Sequence, residues 1–318
     1  MVTPIGGYFE LELRGGEHYH KGALCLNSAR SCFEYVLRAR GYKKVFLPYY
    51  TCEIVAQPCQ LLHVDYEFYH IDRNLEPVAL PELKEGEAFL YTNYFGLKQQ
   101  CAERLAQYYG SRLIVDNAQA FFAPALLGID TFYSPRKFFG VPDGGYLYCD
   151  APIGMELPQS HSNDRMSHLL KRMEMGAEAA YGDFKTNDEV LGQQPIMRMS
   201  TLTENLLKAI DYVSIIEKRR HNYQILDQAL RQCNQLNLTY SDDAVPMVYP
   251  FLPKRNAELK KKLIENKIFV ATYWPNVLEW CEETDWEYQL AQQACFLPMD
   301  QRYGEEEMLQ IINVIEIE

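Results

Sequence analysis

"RLIVDNAQAFFA", residues 112–123, decides how the rest of the chain is read. Leu113, Ile114 and Val115 form a short, unbroken apolar run that ends at Asp116. A run of this kind, too short for a helix and without polar alternation, marks a strand covered on both faces, as in a parallel sheet. The sequence on both sides alternates strand and helix signals. Upstream come "GALCL" (22–26), a helix from Ser28 to Arg40 with Cys32, Phe33, Val36 and Leu37 at helical spacing, and "KKVFLP" (43–48). Next are a helix-like "TCEIVAQPCQLL" broken by Pro58, the strands "LHVDYEFYHI" (62–71) and "EAFLYTNYF" (87–95), and the helix "QQCAERLAQYYG" (99–110). Downstream, "IDTFYS" (129–134) and "GYLYCD" (145–150) are further strands.

This alternation predicts an α/β fold, a mostly parallel sheet sandwiched by helices, with ligands gathering at the carboxyl ends of the strands. Asp116, Ser28 and Ser134 all fall at predicted strand ends. Residues 151–200 carry weak signals and read as a surface excursion. A single long helix is expected from Thr201 to Gln232. Beyond it, "VPMVYPFL", "AELKKKLIEN", the strand-like "KIFVATYWP" (267–275) and the terminal "GEEEMLQIINVIEIE" form a smaller α+β unit. The boundary is placed near residue 210, giving a large unit over 1–210 and a small one over 211–318.

Composition limits the function classes. The 318 residues are 47% hydrophobic and 23% charged, the profile of an ordinary globular chain with room for two lobes. A net charge of -12 argues against a general nucleic-acid binder, which needs a basic footprint. The basic runs Lys218-Arg219-Arg220-His221 and Lys260-Lys261-Lys262 lie in helical segments and read as solvated faces. Nine cysteines without a C-x-x-C pair or metal-ligand spacing point to a reducing compartment and to no metal site. "MVTPIGGYFELEL" lacks a signal-peptide pattern, and no apolar run reaches a membrane span, so the chain reads as cytoplasmic.

The second informative stretch is "TFYSPRKFFGVPDGGYLY", residues 131–148. Lys137 lies twenty-one residues after Asp116 and three after Ser134, flanked in sequence by Phe132, Tyr133, Phe138 and Phe139. Each residue alone has an ordinary explanation: a snorkelling lysine, a turn-forming aspartate, a loop serine. Together they match the needs of a pyridoxal 5'-phosphate site. Lysine carries the cofactor aldehyde, and aspartate faces the ring nitrogen. "CLNSARS" runs from a strand into a helix N-terminus that offers amides to the phosphate. An aromatic collar around Lys137 is expected to lower its pKa.

At these residues the chain resembles the DegT/DnrJ/EryC1/StrS family of pyridoxal-phosphate-dependent sugar aminotransferases, within fold type I. "IVDNAQAFFA" resembles its D-x-A-Q segment, which implies Asp116 at the ring nitrogen and Gln119 near the ring hydroxyl. "FYSPRKFFGVPDGGYLY" resembles its lysine segment, which implies Ser134 on the phosphate and Lys137 as the Schiff-base lysine. "LPYYTC", "YTNYFG", "RMSTLTENLLKAIDYVSIIEKRRHNY" and "LPMD" extend the likeness over nearly the whole chain. The resemblance implies an amino donor, glutamate by family expectation, a nucleotide-linked keto-sugar acceptor in polysaccharide or aminosugar synthesis, and a homodimer. A sugar dehydratase of the family would carry histidine in place of Lys137. A cofactor-binding regulatory or silent member is the remaining alternative.

The departures are specific. Ser28-Ala29-Arg30 stands where the family has Ser-Gly-Thr at the phosphate. Arg30 in a first helical turn calls for a neutralising anion, which is expected to be the cofactor phosphate or a substrate phosphate. Ile196 replaces an asparagine that reaches the partner subunit's phosphate. Cys52 stands where an aromatic ring covers the cofactor, with Tyr50 as a substitute.

Overall fold

The computed structural model describes residues 5–236, 238–254 and 258–316. The readings made on Met1–Pro4, Ala257 and the last two residues lie outside them. In chain order the elements are β1 (Leu24–Leu26), α1 (Ala29–Arg40), β2 (Lys44–Pro48), α2 (Gln57–Leu62), β3 (Asp65–Tyr69), β4 (Glu87–Thr92), α3 (Gln99–Tyr109), β5 (Leu113–Asn117), β6 (Asp130–Tyr133) and β7 (Gly145–Tyr148). There follow α4 (Ser167–Met175), α5 (Ala177–Gln193), α6 (Thr201–Lys208), α7 (Tyr212–Leu230), β8 (Tyr249–Phe251), α8 (Leu259–Glu265), α9 (Val277–Trp280), α10 (Trp286–Gln293), β9 (Cys295–Leu297) and α11 (Glu305–Glu316).

The seven-stranded sheet runs β1-β7-β6-β5-β4-β2-β3. The run β6-β5-β4-β2-β3 is parallel, and β7 is antiparallel to both of its neighbours. This is the sandwiched, mostly parallel α/β sheet expected. Its central strands are largely apolar because each face has its own core, whereas the edge strand β3 alternates exposed Asp65 and Glu67 with half-buried Tyr66 and Phe68. Val45, Leu47, Ala88, Leu90, Ile114, Phe132 and Leu147 pack with Cys32, Phe33, Val36 and Leu37 of α1. Their neighbours Phe46, Phe89, Tyr91, Val115, Tyr133 and Tyr146 pack on the other face with α3 and with the C-terminal segments around Tyr249, Leu290 and Ile311. Side chains two apart on a strand share a face. Thr92, Asp116 and Ser134 therefore follow Leu90, Ile114 and Phe132 onto the α1 face, one row above the core.

Four sequence expectations change. Residues 151–200 hold the paired helices α4 and α5 rather than an irregular excursion. The long helix breaks between Lys208 and Tyr212, where the Asp211 carboxylate accepts the Ser214 amide at 3.2 Å and starts α7 anew. The helix-like "TCEIVAQPCQLL" divides just before Pro58 rather than at it: a 3-10 turn over Glu53–Ala56 gives way to α2, and Pro58 sits in the first turn of α2, where a missing N–H has no cost. "KIFVATYWP" forms no strand, only one bridge from Ala271 to Phe296.

Candidate active site

The turn from β1 into α1 builds the first wall. Ser28 caps α1: its hydroxyl accepts the Ser31 amide at 3.1 Å and donates to the Ser31 hydroxyl at 2.9 Å. Ala29 is the first helical residue, so this end presents first-turn amides that have no carbonyl within the helix. Gly144 and Gly145 bring the second wall against it. The Gly144 amide bonds to the Asn27 carbonyl at 2.7 Å. A Cβ on Gly145 would lie 2.5 Å from the Ser28 carbonyl oxygen, and one on Gly144, at φ +123°, would lie 2.9 Å from Pro135. Only glycines let the Ser134-Pro135 turn and the α1 N-terminus approach this closely.

Asp116 sits on the floor between them, buried, with one carboxylate oxygen accepting the Ala118 amide at 2.8 Å. Burial pushes its carboxyl upward, while the Lys137 charge and the Ala118 hydrogen bond pull the other way. A buried carboxylate in this state favours a cationic group placed against it. Gln119 is fixed from the opposite side. Its Oε1 accepts the Phe95 amide at 3.2 Å, which leaves its buried Nε2 without a partner. The hydroxyls of Thr92 and Tyr50 are likewise buried and unpartnered. Orphaned donors around a raised carboxylate, beside a helix N-terminus, are the cradle of a polar ligand rather than a finished core.

Lys137 ends the short 3-10 turn Pro135–Lys137 that follows β6. The aromatic collar expected around it does not form, because strand and turn geometry send its sequence neighbours elsewhere. Phe132 stacks on Phe33 in the α1-side core, while Phe138 and Phe139 pack on Phe121 on the other face. Lys137 itself is exposed, and its Nζ lies 6.0 Å from the ring centroid of Trp274. Trp274 is buried, edge-on to Tyr50 at 5.1 Å, and its segment is held to the end of β2 by the Asn276 amide on the Thr51 carbonyl at 2.9 Å. Cys52 stands at the same place: burial raises its thiol pKa and the Lys137 charge lowers it. Sequence reasoning missed Trp274, whose only signal was an aromatic pair before Pro275.

Arg30 lies beside the cup but faces inward. Its guanidinium donates to Glu34 at 3.2 Å and to the Gln194 carbonyl, while its Nε has no partner. Glu34, one helical turn on, also receives Arg38 at 3.0 and 2.8 Å, so the two arginines share one carboxylate. Ile196 is buried in the α1-side core.

The sheet order and the crossing helices form a sandwiched, mostly parallel α/β architecture. No protein-family model and no curated protein matches the chain. Solved structures share its fold over most of its length. DesV of S. venezuelae is 16% identical, with 93% of this chain and 84% of that one aligned and a TM-score of 0.63. NtdA of Bacillus subtilis, solved with bound PMP, is 16% identical over 92% of this chain and 73% of that one, TM-score 0.63. A DegT DnrJ EryC1 StrS aminotransferase from Brucella abortus is 16% identical over 92% and 85%, TM-score 0.61. What this chain shares with them is the architecture.

Proposed function

We propose that this chain is a pyridoxal-phosphate-dependent aminotransferase that moves an amino group from an amino acid, glutamate by family expectation, to a nucleotide-linked keto sugar in polysaccharide or aminosugar synthesis. The observation that carries the reading is the buried Asp116 carboxylate, which receives only the Ala118 amide, together with the unpartnered donors of Gln119, Thr92 and Tyr50. Those residues fit the cofactor. The α1 N-terminus at Ser28-Ala29 and the Ser134 hydroxyl would hold its phosphate, Gln119 Nε2 would face the ring hydroxyl, and Asp116 the ring nitrogen.

When bound, the cofactor supplies an electron sink for a carbanion at the donor α-carbon. The chain does the rest. Asp116 would favour the protonated ring nitrogen, because a desolvated carboxylate favours a cation beside it. Lys137, exposed at the mouth, would hold the cofactor and, once displaced by the donor, would be the group that takes and returns the proton of the donor α-carbon, with the same role for the acceptor. Trp274 and Tyr50 wall the site from the C-terminal side.

The acceptor and donor are small molecules. Among the described residues no helix is long and apolar enough to cross a membrane. A homodimer is supported by exposed apolar side chains on the N-terminal arm (Ile5, Tyr8, Phe9) and on the α4–α5 pair (Met173, Met175, Tyr181). The division into 1–210 and 211–318 is supported by the helix break that Asp211 caps.

The test is spectroscopic. Adding cofactor should give a visible band in the wild type and none in K137A, and glutamate should bleach the wild-type band. A band that forms but resists every amino donor would favour a silent cofactor-binding member, the reading supported by the internal pairing of Arg30 beside the phosphate cup.

A further inference from the structure

The basic run on α7 is not the solvated face expected from its sequence. Arg219 is 1% exposed and among the largest fully buried side chains. Burial pushes its guanidinium down to about 10, with the Asp300 charge acting in the opposite sense. Among the described residues no carboxylate lies within salt-bridge distance of Arg219, and Asp300 is taken by Arg302 at 2.7 and 2.8 Å. A desolvated cation without an ion-pair partner is costly, so what it binds matters.

Its donors reach two loops of the site. Arg219 Nε donates to Gln301 Oε1 at 2.8 Å, and Gln301 Nε2 donates to the Phe138 carbonyl at 2.6 Å. The guanidinium also lies over the Phe138 ring, 4.7 Å from its centroid. The Phe138 amide closes the turn onto Pro135 at 2.9 Å, so the residue after Lys137 is held at its amide, carbonyl and ring. In the other direction, Arg219 Nη1 donates to the Pro246 and Met247 carbonyls at 3.1 and 3.2 Å. Met247 then donates to the Phe95 carbonyl at 2.8 Å, and Phe95 donates to Gln119 Oε1 at 3.2 Å.

An amide side chain has one accepting and one donating end. By filling Oε1 of Gln301, Arg219 forces the Gln301 NH2 toward Phe138. We propose that Arg219 and Gln301 are positioning residues for the site, with the buried guanidinium orienting Gln301 so that its amide anchors the turn that carries Lys137. The proposal rests on the reading of Lys137 as the cofactor lysine. A glutamate at 301 would pair with Arg219 better than glutamine does, yet it would turn lone pairs toward the Phe138 carbonyl. That choice separates positioning from mere stabilisation.

The experiment compares wild type, Q301E and Q301M. In the apoprotein, acylation of Lys137 by acetic anhydride is followed against pH by peptide mass spectrometry, with exposed Lys261 as internal reference. In the loaded protein, release of pyridoxal phosphate is timed by loss of the visible band. Q301E is expected to keep or raise the apoprotein Tm, to change Lys137 acylation relative to Lys261, and to release cofactor on the order of tenfold faster. Q301M should lower the Tm and change the site in the same sense, and it decides the matter if Q301E does not fold. Wild-type acylation and release in a folded Q301E or Q301M would overturn the proposal. A wild type that never forms the visible band would overturn the cofactor reading alone, because the acylation arm still decides whether Gln301 holds the lysine turn.

Discussion

Two buried aspartates on adjacent strands, Asp116 at the end of β5 and Asp130 at the start of β6, meet opposite fates. Asp130 receives both ends of the Arg40 guanidinium, at 2.8 and 2.7 Å, and Arg40 reaches on to Asp150 at 2.6 Å. Together with Cys149, these carboxylates lie close enough to suggest a metal cluster, but the arginine already supplies the positive charge. Asp116 receives a single backbone amide and no side-chain hydrogen bond, and burial raises its carboxyl. A buried carboxylate with a complete arginine partner belongs to the fold. One left with only an amide, at the carboxyl end of a parallel strand, belongs to a ligand.

The largest break in this contrast comes from Lys137. K137A should abolish the visible band and cut transamination by about 10⁴-fold, with the apoprotein Tm unchanged, because the exposed amine supports no packing. D130N should do the reverse. Leaving Arg40 without its buried partner costs roughly 3 kcal/mol, seen as a lower midpoint in urea, while cofactor binding survives in the fraction that folds.

D116N sharpens the comparison through pH. A carboxyl whose folded pKa is raised above its unfolded value, near 3.8, releases its proton less readily in the native state. Its ionisation therefore costs native stability as pH rises through that interval. Apo D116N should melt above wild type at pH 7, and the gain should vanish as pH falls below about 4. Cofactor should raise the wild-type Tm at pH 7 more than that of D116N. Equal apoprotein melting at pH 7 would remove the claim that Asp116 lacks a charge partner. The smallest effect is expected at Ser28. S28A removes the α1 cap for about 1 kcal/mol and should weaken cofactor binding modestly, both measurable by thermal shift with and without cofactor.

The parts of this account that were legible in sequence are those set by local pattern. The apolar run 113–115, the polar residues at strand ends and the Gly144-Gly145 pair put Asp116, Ser134 and the α1 cup on one face at the strand ends, because a two-residue repeat in a parallel sheet leaves little choice of face. What could not be read depends on contacts far apart in the chain. Arg219 looks solvated within "EKRRHNY", and its partners Gln301, Pro246, Met247 and Phe138 all lie far from it in sequence. The collar around Lys137 failed for the same reason: adjacent residues on a strand and its turn point to different cores. Arg30 shares the Glu34 carboxylate with Arg38, a contact legible at i, i+4 spacing.

The central claim, that Lys137 is the covalent anchor of a cofactor held between Asp116 and the α1 N-terminus, is tested most directly by borohydride reduction of the protein incubated with pyridoxal phosphate, followed by peptide mapping. The account predicts one stoichiometric adduct, on Lys137, with D130N showing the same adduct in its folded fraction. Label scattered over surface lysines, or absent from Lys137, would contradict it.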